Sequence, residues 1–164
     1  MTELKELLVH ELGDLLYAER RFLTATKAMV REAQDARVKA RIEQHVGETQ
    51  GHIERLTKAF EAIGEKAKAE KCEAAVGLKE EHDSFKTEEK PSKEILSLFD
   101  LGSGLRVEHY EIAAYTTAIA VANALGHTEC SAILQQNLDE ELEMERFLVE
   151  NAPRVLKTAA QLQA

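Results

Sequence analysis

Acidic side chains interrupt apolar helix stripes at several places along this chain. Glu19 breaks the run Leu12, Leu15, Phe22, and Glu108 lies on the line Leu101, Leu105, Ile112, Tyr115, with Glu111 one turn later. Glu141 and Glu145 keep step with Leu134, Leu138 and Leu148. Glu48 and His52 flank a fourth stripe, one turn apart on one face. A carboxylate on a face that must be buried is costly, and a cluster of them more so. Such a cluster survives where protons are shared, where cations pair with it, or where a metal ion sits inside it. Hard oxygen donors joined by an imidazole suit iron or manganese.

The spacing brings these acids together. Glu19 lies fifteen residues before Gln34 and Glu48 fourteen after it; Glu111 lies fifteen before Gly126 and Glu141 fifteen after it. If each turn closes an antiparallel hairpin, all four fall near the midplane of a bundle. Glu108, His52 and Glu145 stand about one turn, or ~5.4 Å, along. The expected metal ligands are therefore Glu19, Glu48, His52, Glu108, Glu111, Glu141 and Glu145. Di-metal carboxylate bundles use a Glu from each of two helices and Glu-x-x-His from the other two. This chain departs from that plan, with Glu48-x-x-x-His52 and Glu141-x-x-x-Glu145, and with Gly51 and Met144 where the plan has histidines. His45 and His109 read as groups that orient ligands or face solvent. Tyr17, Tyr110 and Tyr115 read as core or rim, and His10, His82 and His127 belong to no constellation. The competing reading leaves each Glu at a stripe's edge, reaching water. If the cluster forms, like charges crowd the metal-free site, and Glu141→Leu is expected to stabilise that form.

Helices must carry these residues. Ala, Leu, Glu and Lys dominate, and Pro91 and Pro153 are the two prolines. Leu4, Leu8, Leu12, Leu15, Phe22 and Met29 predict a first helix over about 2–32. Asp35 caps a second, running to about Ile63, with Gly64 as its C-cap glycine. A third long helix starts near Ser92 and ends before Gly126; Gly102 and Gly104 predict a local break in it or very close packing. A fourth follows to about Asn151, with Ile133, Leu134, Leu138, Leu142 and Leu148 inward, and Pro153 opens a short terminal helix. Residues 64–92 form a long crossover with one short amphipathic stretch near Cys72–Phe85, and TEEKPSKE reads as a linker. The connections run short, long, short. The expected fold is therefore all-α: one ferritin-like four-helix-bundle domain over 1–164, its crossover carrying a short helix.

Composition excludes other classes. The 164 residues hold 21 Lys+Arg against 30 Asp+Glu, a formal charge of −9. An acidic chain without a basic patch is not built for nucleic acid or an anionic membrane surface. Aromatics are 5% and Trp is absent, which leaves no base-stacking platform. Cys72 and Cys130 form no CxxC pair, so zinc-ribbon and thioredoxin readings fall away, and two lone cysteines fit a reducing cytosol. The N-terminus reads as no signal peptide, and no apolar run approaches ~20 residues. No Gly-rich phosphate loop follows a strand, so a nucleotide-binding enzyme is not indicated.

The segments LGDLLYAERRFLTA, HVGETQGHIERLTKAFEAIG, VEHYEIAAYTTAIAVANALGH and ILQQNLDEELEMERFL resemble the YciF/YciE-type stress-induced proteins of bacteria. The resemblance spans about residues 3–150. It implies a ferritin-like fold, a cytoplasmic protein, a homodimer and a rubrerythrin-like metal centre, but no reaction, because that family is a domain of unknown function. Two acids three apart on the third helix of rubrerythrin-type proteins correspond to Glu108 and Glu111. Two functions follow as expectations. One is a stress-related protein with a di-iron site, or manganese in its place, active in redox or metal handling; lacking a CxxC pair, it would need an external reductant. The other is a non-enzymatic helical protein whose metal is structural or absent.

Overall fold

The computed structural model describes residues 2–162; Met1, Gln163 and Ala164 lie outside it. Five α-helices follow in order: α1 (Leu4–Glu32), α2 (Ala36–Ala62), α3 (Glu73–Ser84), α4 (Lys93–Ala124) and α5 (Thr128–Leu162). No strand occurs among the described residues. The helix ends follow local chemistry. Asp35 caps α2 by accepting from the amides of Arg37 and Val38 at 3.0 Å each, and the Ser92 hydroxyl accepts from Ile95 to open α4. α2 and α4 end alike. Gly64 and Gly126 take φ of +75° and +77°, and the next amides, Glu65 and His127, return to the Phe60 and Ala122 carbonyls. Both are Schellman turns, which the left-handed conformation of glycine permits.

Two apolar clusters fix the helix directions. At one end the start of α1 (Leu8, Leu12, Leu15, Leu16) packs on the end of α2 (Leu56, Phe60), the end of α4 (Ala118, Ala122) and the start of α5 (Cys130, Leu134). At the other end Met29, Val38, Leu101, Met144 and Leu148 meet. Neighbours around the ring are α1–α2, α2–α5, α5–α4 and α4–α1, and all are antiparallel. The chain must therefore cross the length of the bundle between α2 and α4, as ferritin-like folds do. Each fully buried Leu or Phe contributes about 1.5–3 kcal/mol of burial free energy.

The crossover is tied down along its route. The Glu70 amide donates to the Gly13 carbonyl at 3.0 Å, and a Cβ on Gly13 would stand 2.8 Å from Glu70 Cγ and 3.1 Å from the Lys68 carbonyl oxygen. Glycine is required there by close approach. α3 then packs on α1 and α4, with Cys72 Sγ 2.9 Å from the Tyr110 hydroxyl and His82 Nε2 2.8 Å from Asp100 Oδ1. A π-helical turn, Phe85–Glu89, extends it, so part of the expected linker is helical.

Several expectations change. No separate C-terminal helix forms, because α5 runs on through Pro153. Proline forfeits one helical hydrogen bond, but tertiary contacts hold the last turns in line. Ala152 and Val155 pack on the Met29–Val38 cluster, and Arg154 makes a two-pronged pair with Asp35 at 2.8 and 3.2 Å. α4 is unbroken at Gly102, where a Cβ would meet nothing within 4 Å, and at Gly104, where it would make ordinary contact with Leu148 at 3.5 Å. Leu142 points outward, 43% exposed.

Candidate metal centre

Between the two apolar ends lies a buried polar layer. Glu19 comes from α1, His45, Thr49 and His52 from α2, Glu108 and Glu111 from α4, and Glu141 from α5; none is more than 4% exposed. Ile42, His45, Thr49, His52 and Leu56 form one stripe at 3/4 spacing, which places both imidazoles on the inner face.

Glu141 is the hub. Its Oε1 lies 2.9 Å from His52 Nδ1, which is also 3.2 Å from Glu19 Oε1. Its Oε2 lies 3.5 Å from His45 Nε2, which is also 3.5 Å from Glu108 Oε1. Two donor triads therefore share Glu141: Glu19–His52–Glu141 and His45–Glu108–Glu141, each with donor atoms within 4.8 Å of one another. Close as they are, these atoms do not satisfy one another. Glu19 Oε2, His52 Nδ1, Glu108 Oε2, Glu111 Oε1 and both Glu141 oxygens have no hydrogen-bond partner of proper geometry. Buried polar atoms are nearly always paired, so the orphaned atoms of residues that form two donor triads fit a cation at each triad. Donors bound at about 2.0–2.2 Å stand ~3.0–3.5 Å apart around one ion; the imidazole–carboxylate pairs here stand 2.9, 3.2, 3.5 and 3.5 Å apart.

Outside the layer, a carboxylate holds each ring. His45 Nδ1 lies 2.9 Å from Glu48 Oε2, which also accepts from Arg41 at 2.8 Å. His52 Nε2 lies 2.8 Å from Glu140 Oε2, and Arg55 pairs with the same Glu140 oxygen and with Asn137. A carboxylate that takes one ring N–H turns the other nitrogen inward as a donor. Tyr115 donates to Glu19 and accepts from Asn137 at 2.9 Å, which fixes the α1 carboxylate.

The charges follow from burial and neighbours. Burial opposes charge on His52, but Glu19 and Glu141 outweigh it and push the imidazole up to about 11. Burial raises Glu141 too, yet His52 and His45 more than compensate and hold it below the usual carboxylate range. Burial, reinforced by the charge of Glu141, lifts Glu108 and Glu111 well above that range, and burial also raises Glu19. Glu48 is opposite in sense: against burial, His45 and Arg41 lower it to about 2.

Five of the seven expected ligands, Glu19, His52, Glu108, Glu111 and Glu141, stand in the layer. Two do not. Glu48 sits behind His45, and Glu145 is partly exposed with His109 Nε2 3.8 Å away. Equal counting from the turn made Glu48 the partner of Glu19, but His52 takes that place. Side chains lean toward their own helix N-terminus. In an antiparallel hairpin Glu19 therefore leans away from the turn, while α2 side chains lean back toward it. The partner lies about a turn farther along α2. His45, read from sequence as an orienting or surface group, is itself in the layer; its stripe with Ile42, Thr49 and Leu56 was the available signal. Nothing in the sequence marked Glu140.

A third acid–histidine group, Glu32, His82 and Asp100, joins α1, α3 and α4. Lys86 pairs with Glu32 and His82 with Asp100, so it ties the crossover to α1 and α4.

A family model described as “Domain of unknown function (DUF892)” matches residues 3–161. YciF of Escherichia coli (strain K12) is 30% identical over 142 residues, which is 86% of this chain and 85% of that protein. Among solved structures, YcfI from Rhodopseudomonas palustris, named a candidate structural protein, is 35% identical with a TM-score of 0.85, covering 90% of this chain and 93% of that one. The structure of the Escherichia coli stress protein YciF matches with a TM-score of 0.85 at 27% identity, covering 96% and 99%. These relatives agree with the resemblance and the all-α fold read from the sequence. No described helix is long and apolar enough to cross a membrane.

Proposed function

The chain belongs to the DUF892 family, and from that premise we propose that its midplane layer binds a pair of metal ions, iron first and manganese second. The observation that carries this reading is Glu141, a fully buried carboxylate whose two oxygens each face a different histidine and have no hydrogen-bond partner. Glu19 and His52 would complete one position, and Glu108 and His45 the other. Glu111 supplies a fourth carboxylate, so the layer can balance two divalent cations. Four acids and two histidines match in number the donors of di-metal carboxylate bundles, although both histidines come from α2. Such a pair of ions supplies Lewis acidity or one-electron redox chemistry. This chain's part is to exclude water, to hold the imidazoles through Glu48 and Glu140, and to fix Glu19 through Tyr115. In this reading the protein handles metal or oxidants during bacterial stress, in the cytoplasm, as a homodimer, with electrons from an external reductant.

The test is elemental analysis of protein purified without chelator, followed by anaerobic Fe(II) and Mn(II) titration by calorimetry. About two equivalents per chain are expected, with Glu141→Leu abolishing both. Absence of binding, or unchanged stoichiometry in Glu141→Leu, overturns the proposal. A non-metal reading has its own support in the His52 charge, which already offsets Glu141. It predicts a melting temperature indifferent to both metals.

A further inference from the structure

Two carboxylate oxygens beside the crossover are left over once its ties are made. Lys86 takes Glu32 Oε1, and His82 Nε2 lies 2.8 Å from Asp100 Oδ1. Glu32 Oε2 and Asp100 Oδ2 are buried and have no partner, a costly state for a carboxylate. Asp100 is 6% exposed and His82 8%. One donor atom from each of Glu32, His82 and Asp100 lies within 4.8 Å of the other two. The group stands apart from the midplane layer. Asp100 precedes Glu108 by eight residues on α4, about 12 Å of helix, and Glu32 follows Glu19 by thirteen on α1, about 20 Å. Local structure delivers the three residues. Glu32 ends α1, Asp100 lies about two turns into α4, and His82 sits in the last turn of α3, just before the π-helical turn. Such turns are rare and recur at functional sites. Behind the ring, Asp83 Oδ1 stands 3.6 Å from His82 Nδ1, a carboxylate placed to orient the imidazole with Nε2 inward.

We propose that Glu32, His82 and Asp100 bind a zinc ion that staples the crossover to α1 and α4. One imidazole and two carboxylates suit zinc, which takes nitrogen and oxygen donors tetrahedrally, whereas calcium and magnesium take oxygen. With three protein donors and a water in the fourth position, the affinity order favours zinc over Mn(II) and Fe(II). Bonds of about 2.0–2.2 Å set tetrahedral donors ~3.3 Å apart, so closing the group on the ion asks for movement of no more than about 1.5 Å. The flexible Glu32 side chain, 17% exposed, supplies it. In the metal-free protein the His82–Asp100 contact and Lys86 hold the group together. With zinc, Asp100 Oδ2 and Glu32 Oε2 gain the cation they lack, and one divalent ion balances both carboxylates. Lys86 is the competing cation, and its side chain is 45% exposed and free to turn to solvent.

The test is Zn(II) calorimetry on chelator-stripped protein in a Glu141→Leu background, which removes the shared carboxylate of the layer. About one equivalent per chain should still bind. His82→Gln in that background should weaken binding by more than about tenfold, the scale on which even groups that only orient a ligand act. Lys86→Met removes the competing cation and no ligand, and should strengthen binding several-fold. Amides of α3 should exchange more slowly with Zn(II) in the parent and not in His82→Gln. No binding in the Glu141→Leu background, or an affinity indifferent to both substitutions, overturns the proposal. If Glu141→Leu does not fold, wild-type protein saturated with Zn(II) decides. Imidazole nitrogen NMR should move His82 Nε2 to the metal-bound range, and an unmoved His82 overturns the proposal. The layer is scored separately: if it binds no metal, wild type and Glu141→Leu take up the same single equivalent.

Discussion

Replacing Glu111 with leucine should move stability in opposite directions with and without metal. Glu111 is 2% exposed, its Oε1 has no partner, and burial followed by the charges of Glu141, Glu19 and Glu108 all push its carboxyl toward the protonated form. No cation faces it. An unsatisfied buried polar group costs about 1–3 kcal/mol, and an apolar group of similar size removes that cost. For a chain of this length each kcal/mol moves Tm by roughly 2–4 °C, so a rise on the order of 5 °C is expected in chelator. With metal the sign reverses. A ligand at a hundredfold excess over its Kd stabilises by about 2.7 kcal/mol per site, and the variant forfeits part of that gain. Glu141→Leu should behave differently. The expectation that its removal stabilises the metal-free form assumed uncompensated like charges, but Glu141 faces His45 and His52 and is held ionised by them. Its loss should lower Tm in chelator, by less than the roughly 3–5 kcal/mol of a fully broken buried pair, because Glu19 and Glu140 still face His52. The assay is thermal unfolding by circular dichroism in EDTA and in anaerobic Fe(II) for both variants. A lower Tm for Glu111→Leu in chelator, or an undiminished metal-induced rise, refutes the reasoning.

Other outcomes test the frame around the site. The hydrogen bond to Asp100 raises His82 above its usual 6.5, so its stabilisation is complete below about pH 6.5 and fades as pH rises through the higher folded-state value; urea midpoints between pH 6 and 9 should fall in the wild type and flatten in His82→Gln. Gly13→Ala should cost about 1–3 kcal/mol by forcing the crossover off α1, whereas Gly102→Ala, on an exposed helix position with nothing within 4 Å, should gain about 0.5–1 kcal/mol; denaturant titration of both reads the contrast directly. If the protein is a homodimer, light scattering gives twice the 18.3 kDa chain mass over a wide concentration range, and a single-chain mass throughout excludes it.

Much of the architecture was legible in one dimension because it depends on local chemistry. The 3/4 stripes, the Asp35 and Ser92 caps, Gly64 and Gly126 at the helix ends, and a crossover long enough to span the bundle all act over a few residues. So does the anomaly that marked the site, acids at positions where a stripe demands apolar groups. The same local logic misread Pro153 and Leu142. Packing of Ala152 and Val155 and the Arg154–Asp35 pair carry α5 past the proline, and no stripe says which of its edges faces a neighbour. The roles of individual ligands needed three dimensions. His52 replaces Glu48 opposite Glu19 because side chains on antiparallel helices lean in opposite directions, a shift of about one turn that residue counting does not contain. Glu48 and Glu140 became ring holders, and His45 a donor, only when α2 was set against α4 and α5.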